Sequence, residues 1–309
     1  MRCVFVLFCL LGLLVSLHGS AANSDKIRVV ASFSVLGDLV QVLGGERVNV
    51  VTLVGPDSDG HLYQPTPSDG RKISQSDLVV VNGLHFEGWI TRLITSAGYT
   101  GPVVTATEGV NILYLADEPD PHAWQSLANA TIYARNITTA LQNLRPDYGD
   151  YFEQRFEYYA GEINALQKSA KRRFDSIPIH QRVIVTSHDA FGYFGREFTI
   201  KFLAPQGVST DVEASAMNVA QLIRQMKREN VRAVFVENIA DTRLIDQIAR
   251  ETGAVIGGSL YSDALSPASG HASTYLEMMR HNIDLIASAL NATEGSQYRS
   301  PPSSKSPAE

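Results

Sequence analysis

The sequence predicts an α/β fold, with parallel sheets covered by helices on both faces and arranged as two lobes bridged by one long α-helix. Three observations carry this reading. Short β-branched runs alternate with helical patterns, the mark of parallel sheets rather than hairpins. Four of these runs precede residue 147 and three follow residue 178. Between the two groups, Tyr148, Tyr151, Phe152, Phe156, Tyr159, Ile163, Leu166, Ala170 and Phe174 recur mainly at steps of three and four, as on one face of an uninterrupted helix.

Taken in order, the chain opens with Arg2, an apolar run over 4–17 and the small residues Gly19, Ser20, Ala21 and Ala22. These are the three parts of a secretory signal, assigned to residues 1–22 with cleavage after Ala21 or Ala22. The alternative, a buried N-terminal helix, lacks polar residues spaced to make it amphipathic. Both cysteines, Cys3 and Cys9, lie in the first ten residues. No cysteine therefore follows the small residues to carry a lipid, and disulfides, thiolate metal sites and thiol nucleophiles are excluded downstream. No other stretch reaches the roughly 18 apolar residues that span a bilayer, so a periplasmic or extracellular protein without a lipid anchor is expected.

A first α/β lobe is expected over residues 26–146, with strands at 27–33, 48–54, 78–81 and 103–105. The long connecting helix is expected over 147–177, with Pro146 before it and Pro178 after it. The periodic stretch from Asp147 to about Asp175, some 29 residues at 1.5 Å each, would run about 43 Å, the length of a brace between lobes rather than of a flexible hinge. The plainer alternative is a crossover helix within one large sheet. A second α/β lobe is expected over 178–291, with strands at 183–186, 233–236 and 254–258. Residues 292–309, rich in Ser and Pro with Pro301 and Pro302 adjacent, read as a disordered tail.

Composition narrows the function. The 309 residues are enough for about two domains, and 44% hydrophobic against 19% charged residues excludes global disorder. The formal net charge is −6, and removing the signal leaves 25 basic against 32 acidic residues. That balance argues against nucleic acid or an anionic membrane as partner.

Open α/β sheets bind ligands at the carboxyl ends of their strands. His61 follows the second strand run, His188 the fifth and Asp263 the last, while His122 sits where Asp120-Pro121 suggests the opening turn of a helix. Two come from each half of the chain, so a cleft between lobes would gather them. Each histidine alone is weak evidence, but three imidazoles and a carboxylate together make a four-coordinate site of the kind a divalent transition metal takes, zinc comfortably.

Six motifs in order also carry a resemblance: His61-Leu62-Tyr63-Gln64-Pro65; Asn82-Gly83-Leu84 with Glu87 and Trp89; Asp120-Pro121-His122-Ala123-Trp124; Ser187-His188-Asp189-Ala190-Phe191-Gly192-Tyr193-Phe194; Phe235-Val236-Glu237; and Tyr261-Ser262-Asp263. The chain resembles the zinc and manganese receptors, or solute-binding proteins, of ABC-type metal importers (cluster A-I) over about residues 26–291. The resemblance implies two Rossmann-like lobes joined by one long helix, and one Zn2+ ion, with Mn2+ as the alternative, bound by His61, His122, His188 and Asp263. It also implies delivery of that ion to a membrane permease. A metallochaperone is a further candidate partner, and a monomer is expected. Two features depart from the family pattern. The stretch before His122 is acidic but short and without histidine, and His188 stands where manganese receptors usually place Glu, which tilts the choice toward zinc.

Other residues have plainer readings. Glu237 either orients a metal ligand or pairs with Arg243, while Tyr63, Trp124 and Phe191 either wall the site or pack the core. His85 is either an aid to metal admission or a surface residue, and His180, His271 and His281 have no supporting spacing. Rival functions fare worse. An exported zinc hydrolase would want an open coordination position and a general base, and neither His-Glu-x-x-His nor Gly-x-Ser-x-Gly occurs. An adhesin whose metal merely staples the lobes together would unfold on losing it.

Overall fold

The structure is a computed structural model that describes residues 26–115 and 117–291. The expected signal and tail lie outside the described residues. The first lobe comprises β1 (Ile27–Phe33), α1 (Ser34–Gly44), β2 (Val48–Val54), α2 (Pro67–Ser74), β3 (Leu78–Val81), α3 (Ile90–Ser96), β4 (Val103–Thr105), the hairpin β5 (Tyr114–Leu115) and β6 (Glu118–Pro119), and α4 (Leu127–Leu144). After α5 (Gly149–Asp175), the second lobe holds β7 (Val183–Val185), α6 (Gly192–Phe198), β8 (Lys201–Leu203), α7 (Ala216–Glu229), β9 (Ala233–Glu237), α8 (Arg243–Thr252), β10 (Val255–Leu260) and α9 (Tyr275–Asn291).

Each lobe is built on a four-stranded sheet, ordered β2-β1-β3-β4 in the first and β10-β9-β7-β8 in the second. All the strand pairs of both sheets are parallel. In the first sheet the chain adds β2 on one side of β1 and β3 on the other; in the second it adds β8 and β9 on opposite sides of β7. Such reversals open a crevice beyond the carboxyl ends of the strands. The loops carrying His61, His188 and Asp263 leave at the ends of β2, β7 and β10.

The long helix runs 27 residues from Gly149, two later than the periodicity suggests, because Pro146–Tyr148 form a tight 3-10 turn first. At 1.5 Å per residue it spans about 40 Å. Ile177, next to Pro178, is disfavoured in helical geometry, and the helix stops at Asp175. It packs on α1 and α4 of the first lobe and on α6 and α9 of the second. Near its start, Arg155 donates to the Val42 carbonyl at 2.7 Å; near its end, Phe174 meets Phe194 and Phe198 with ring centroids 5.8 and 5.2 Å apart.

Three local expectations change. Strand β8 and the β5–β6 hairpin were not anticipated, and the last strand runs from Val255 to Leu260 rather than over 254–258. Lys201–Leu203 is a three-residue edge strand with one face half exposed, and it carries no β-branched residue to betray it. Most of the buried apolar residues form one continuous cluster that crosses from the first lobe through α5 to α6 and α9. A smaller second cluster lies between α7, α8 and the second sheet.

Candidate metal centre

The four residues picked from the sequence converge on one point between the lobes. Their ligand atoms all lie within 4.8 Å of one another. His122 Nε2 is 3.3 Å from both His61 Nε2 and His188 Nε2. Asp263 turns both oxygens inward: Oδ2 is 3.5 Å from His61 Nε2 and 3.3 Å from His188 Nε2, and Oδ1 is 3.5 Å from His122 Nε2. The site is dry. The side chains of His122 and Asp263 are fully buried, and those of His188 and His61 retain 1% and 4% exposure.

Neither Asp263 oxygen has a hydrogen-bond partner. A carboxylate this deep needs positive charge beside it, which a protonated His188 would supply in the metal-free protein and a metal cation would supply among all four donors. Separations of 3.3–3.5 Å are near the edge of a tetrahedron whose bonds are about 2.0–2.1 Å, the Zn–N and Zn–O range, within a donor set that spans up to 4.8 Å.

Each imidazole is aimed by its surroundings. His122 follows Asp120, whose Oδ1 accepts the His122 backbone N–H at 2.9 Å and lies 2.8 Å from Nδ1, so that Nε2 is left facing the centre. Gly192 makes room for that carboxylate: a Cβ there would sit 2.6 Å from Asp120 Oδ2. The Tyr193 hydroxyl donates to the Asp120 carbonyl at 3.0 Å, and the Asn82 amide donates to the Pro121 carbonyl at 2.9 Å. Asn82 is held in turn by the Tyr133 hydroxyl, and its N–H donates to buried Glu87, whose carboxyl burial pushes up.

Glu237 supports His188. Its Oε1 accepts the backbone N–H groups of Ser187 and His188 at 2.8 and 2.9 Å, and Oε2 lies 2.6 Å from His188 Nδ1. Arg243 pairs with Asp241 instead, so of the two roles open to Glu237 the structure has the one beside His188. Burial works against a charged His188, but Glu237 and then Asp263 outweigh it and hold its pKa well above the ordinary imidazole value. His61 goes the other way. Burial dominates, Asp263 opposes it only in part, and the neighbouring imidazoles add to it, which brings the pKa down to about 3. Burial likewise opposes ionisation of Asp263, yet His188, His122 and His61 together hold its carboxyl well below the usual carboxylate range.

Aromatic rings wall the first-lobe side. Phe86 lies edge-on to His61 at 4.7 Å and touches Trp124 at 4.8 Å, while Trp124 sits 5.3 Å from His122. Gly60 is required here, because a Cβ would lie 2.7 Å from the Phe86 ring. Trp124 also donates to the Ser262 carbonyl at 2.9 Å, and Gln125 to the same oxygen at 2.7 Å, so the first lobe grips the residue before Asp263.

Of the other aromatics picked from the sequence, Tyr63 packs on Trp89 and bonds Asp69, and Phe191 stacks on Phe202. His85 is exposed, at φ +66°, and His281 bonds the Ser259 carbonyl. Sequence reasoning did not assign roles to Phe86, Asp59 or Asp120. A signal for the two acids was present, because Asp59-Gly60-His61 and Asp120-Pro121-His122 share the spacing Asp-x-His. In both, the Asp Oδ1 accepts the backbone N–H of the histidine.

Two parallel-sheet lobes on a rigid helix, with three histidines and an aspartate between them, define a two-lobed receptor for a metal ion. Residues 29–289 match the family described as zinc-uptake complex component A, periplasmic. The chain belongs to this family, the metal-specific substrate-binding proteins of ABC transporters. It is 30% identical over 295 residues to the manganese ABC transporter substrate-binding lipoprotein PsaA of Streptococcus pneumoniae, covering 91% of this chain and 95% of that one. The periplasmic zinc binding protein TroA of Treponema pallidum superposes with a TM-score of 0.82 at 32% identity, covering 86% of this chain and 99% of that one. A Mn-bound periplasmic metal binding protein from Candidatus Liberibacter asiaticus superposes at 0.80 with 34% identity, over 86% of this chain and all of the other. No helix among the described residues is long and apolar enough to cross a membrane.

Proposed function

We propose that this protein captures one Zn2+ ion between its lobes through His61, His122, His188 and Asp263 and hands it to the permease of an ABC importer. The observation that carries the reading is the buried Asp263 carboxylate, with no hydrogen-bond partner and ringed by three imidazole Nε2 atoms at 3.3–3.5 Å. Three neutral imidazoles and one carboxylate leave a dipositive ion with a net charge of +1, a borderline-soft setting that suits zinc. A water-excluding shell of four protein ligands suits reversible capture better than hydrolysis, which needs an open position for water.

Residues 26–146 and 178–291 serve as the two lobes and 147–177 as their brace. The export signal read over residues 1–22 supports a receptor that works on the outer side of the membrane, in the periplasm. Manganese is the second reading. It is favoured by Asp263 turning both oxygens inward, which adds a hard donor, and by the manganese named for PsaA.

Metal analysis of untagged protein purified without added metal, followed by competition between zinc and manganese, decides the matter. Zinc at one equivalent and a zinc preference are expected. No bound metal after zinc reconstitution at neutral pH would overturn the receptor reading, and an outright preference for manganese would overturn the choice of ion.

A further inference from the structure

His61 differs from the other two imidazoles in its support. Asp120 and Glu237 lie against ring nitrogens of His122 and His188, whereas the acid that serves His61 holds only its backbone: Asp59 Oδ1 accepts the His61 N–H at 2.8 Å. The other oxygen of Asp59 reaches across the cleft. The Thr210 hydroxyl, on the second lobe, donates to Asp59 Oδ2 at 2.7 Å.

Thr210 is itself tied to the site. The Gln206 side-chain amide donates to the carbonyls of Thr210 and Val212 at 3.1 and 2.8 Å, and Gln206 forms a β-bridge with His188. One chain of contacts therefore joins the first-lobe ligand to a second-lobe ligand, running His61, Asp59, Thr210, Gln206, His188. Two residues upstream, Asp57 makes a parallel crossing: its N–H donates to the Leu265 carbonyl at 2.9 Å, and Asn238 donates to its Oδ1 at 2.9 Å. Asp57 adopts φ +50°, a left-handed turn that Asp tolerates, so the loop is bent toward the second lobe.

We propose that Asp59 is a positioning residue that latches the cleft: through Thr210 it makes the placement of His61 depend on the second-lobe segment around Gln206, and so sets how slowly a captured ion escapes. The inference rests on the metal-receptor reading. It assigns His61 as the ligand that leaves first, because its loop is held by hydrogen bonds across the cleft rather than by a carboxylate on its ring. A latch of this kind is expected to act on dissociation far more than on association, as most changes of affinity within one site do.

The test is zinc dissociation from the loaded full-length protein, triggered by excess EDTA and followed by stopped flow, alongside the association rate. Thr210→Val keeps the shape of the side chain and removes the donor. It should raise koff about tenfold, as expected for losing a hydrogen bond to a charged group, with kon and the apo melting temperature unchanged. Thr210→Ser restores the hydroxyl and should restore the parent koff. Asp59→Ala should exceed Thr210→Val, and the double variant should match Asp59→Ala, because both act through one contact.

A Thr210→Val koff within twofold of the parent, a fall in kon that accounts for the lost affinity, or a Ser variant as fast as Val would overturn the latch. A parent that binds zinc and loses it on His61→Ala, with Thr210→Val releasing at the parent rate, sinks the latch alone. A parent that binds no zinc sinks the receptor reading and the latch with it.

Discussion

Glu237→Gln isolates the role of the carboxylate behind His188. In the metal-free protein Glu237 and then Asp263 overcome the cost of burying a charge on His188 and hold its pKa well above the ordinary imidazole value, so a proton on His188 at neutral pH is the expected state. His61, brought down to about 3 mainly by burial, is already neutral. Metal and proton compete for the same Nε2 atom. Capture near pH 7 therefore releases a proton from His188 and none from His61, and affinity rises about tenfold per pH unit, or about 1.4 kcal/mol, until the pH passes the His188 pKa.

The amide of Gln keeps an oxygen for the N–H groups of Ser187 and His188 but withdraws the negative charge 2.6 Å from Nδ1. Two consequences have opposite pH dependence. The His188 pKa falls, so the variant has less proton to displace at neutral pH. The imidazole also loses basicity as a ligand, a loss that typically costs 10- to 100-fold in metal affinity. The gap between parent and variant should thus be widest at high pH, about 10- to 100-fold near pH 8.5, and should narrow toward pH 6. Calorimetric titration in buffers of different ionisation enthalpy counts the protons released, and chelator competition supplies the affinities. Equal proton release by the two proteins near neutral pH, or a gap that stays constant with pH, would refute the assignment of a charged His188 held by Glu237.

Replacing His61, His122 or His188 by Ala should weaken zinc binding well over tenfold, about 1.4 kcal/mol or more each. Asp263→Ala should cost as much, since its two oxygens meet all three histidines, and chelator competition showing parent affinity in any of the four would remove that residue from the ligand set. His188→Glu exchanges a nitrogen for a hard oxygen and should narrow the zinc-over-manganese preference, as read by competitive titration of the two ions. Stripping the metal should lower the melting temperature while leaving the α/β circular dichroism intact, because the core forms without the ion; the shift reflects the lost binding energy, about 4.1 kcal/mol at a free metal concentration 1,000 times Kd.

The parts legible in the sequence are those whose cause is local. Strand β3 is buried at every position and so appears as an unbroken apolar run, β1 is broken only by exposed Arg28 and by Ser32, and α5 shows its buried stripe because one face meets both lobes. The four candidate ligands could be picked because three follow strands and one precedes a helix. Their supports were harder to read. Glu237 meets His188 across 49 residues of chain, and nothing in the sequence distinguishes that pairing from one with nearby Arg243. The path of α9 was also hidden: Asp38 on α1 accepts the Tyr275 N–H at 2.8 Å, so the last helix returns to the first lobe, and only tertiary packing requires that. Strand β8 and the β5–β6 hairpin are too short to have a period at all.

That second crossing by α9 bears on how the ion comes and goes. The continuous core passes through α5, and α9 packs on α1, α5 and β10, so a wide opening of the lobes would expose residues such as Tyr275 and Phe174 that are fully buried. Exposing apolar surface costs about 25 cal/mol per Å2, and a few hundred Å2 would already require several kcal/mol. Polar contacts at the mouth of the site, such as the Thr210–Asp59 and Asn238–Asp57 hydrogen bonds, are each worth about 1.5–3 kcal/mol when one partner is charged. Local loop motion is therefore the cheaper route. Small-angle scattering should give nearly the same curve with and without metal, while hydrogen exchange should speed up on metal removal in residues 55–62 and 205–215. A large change in the radius of gyration would mean that the brace bends, and that the energy separating the two states lies in the core rather than in the loops.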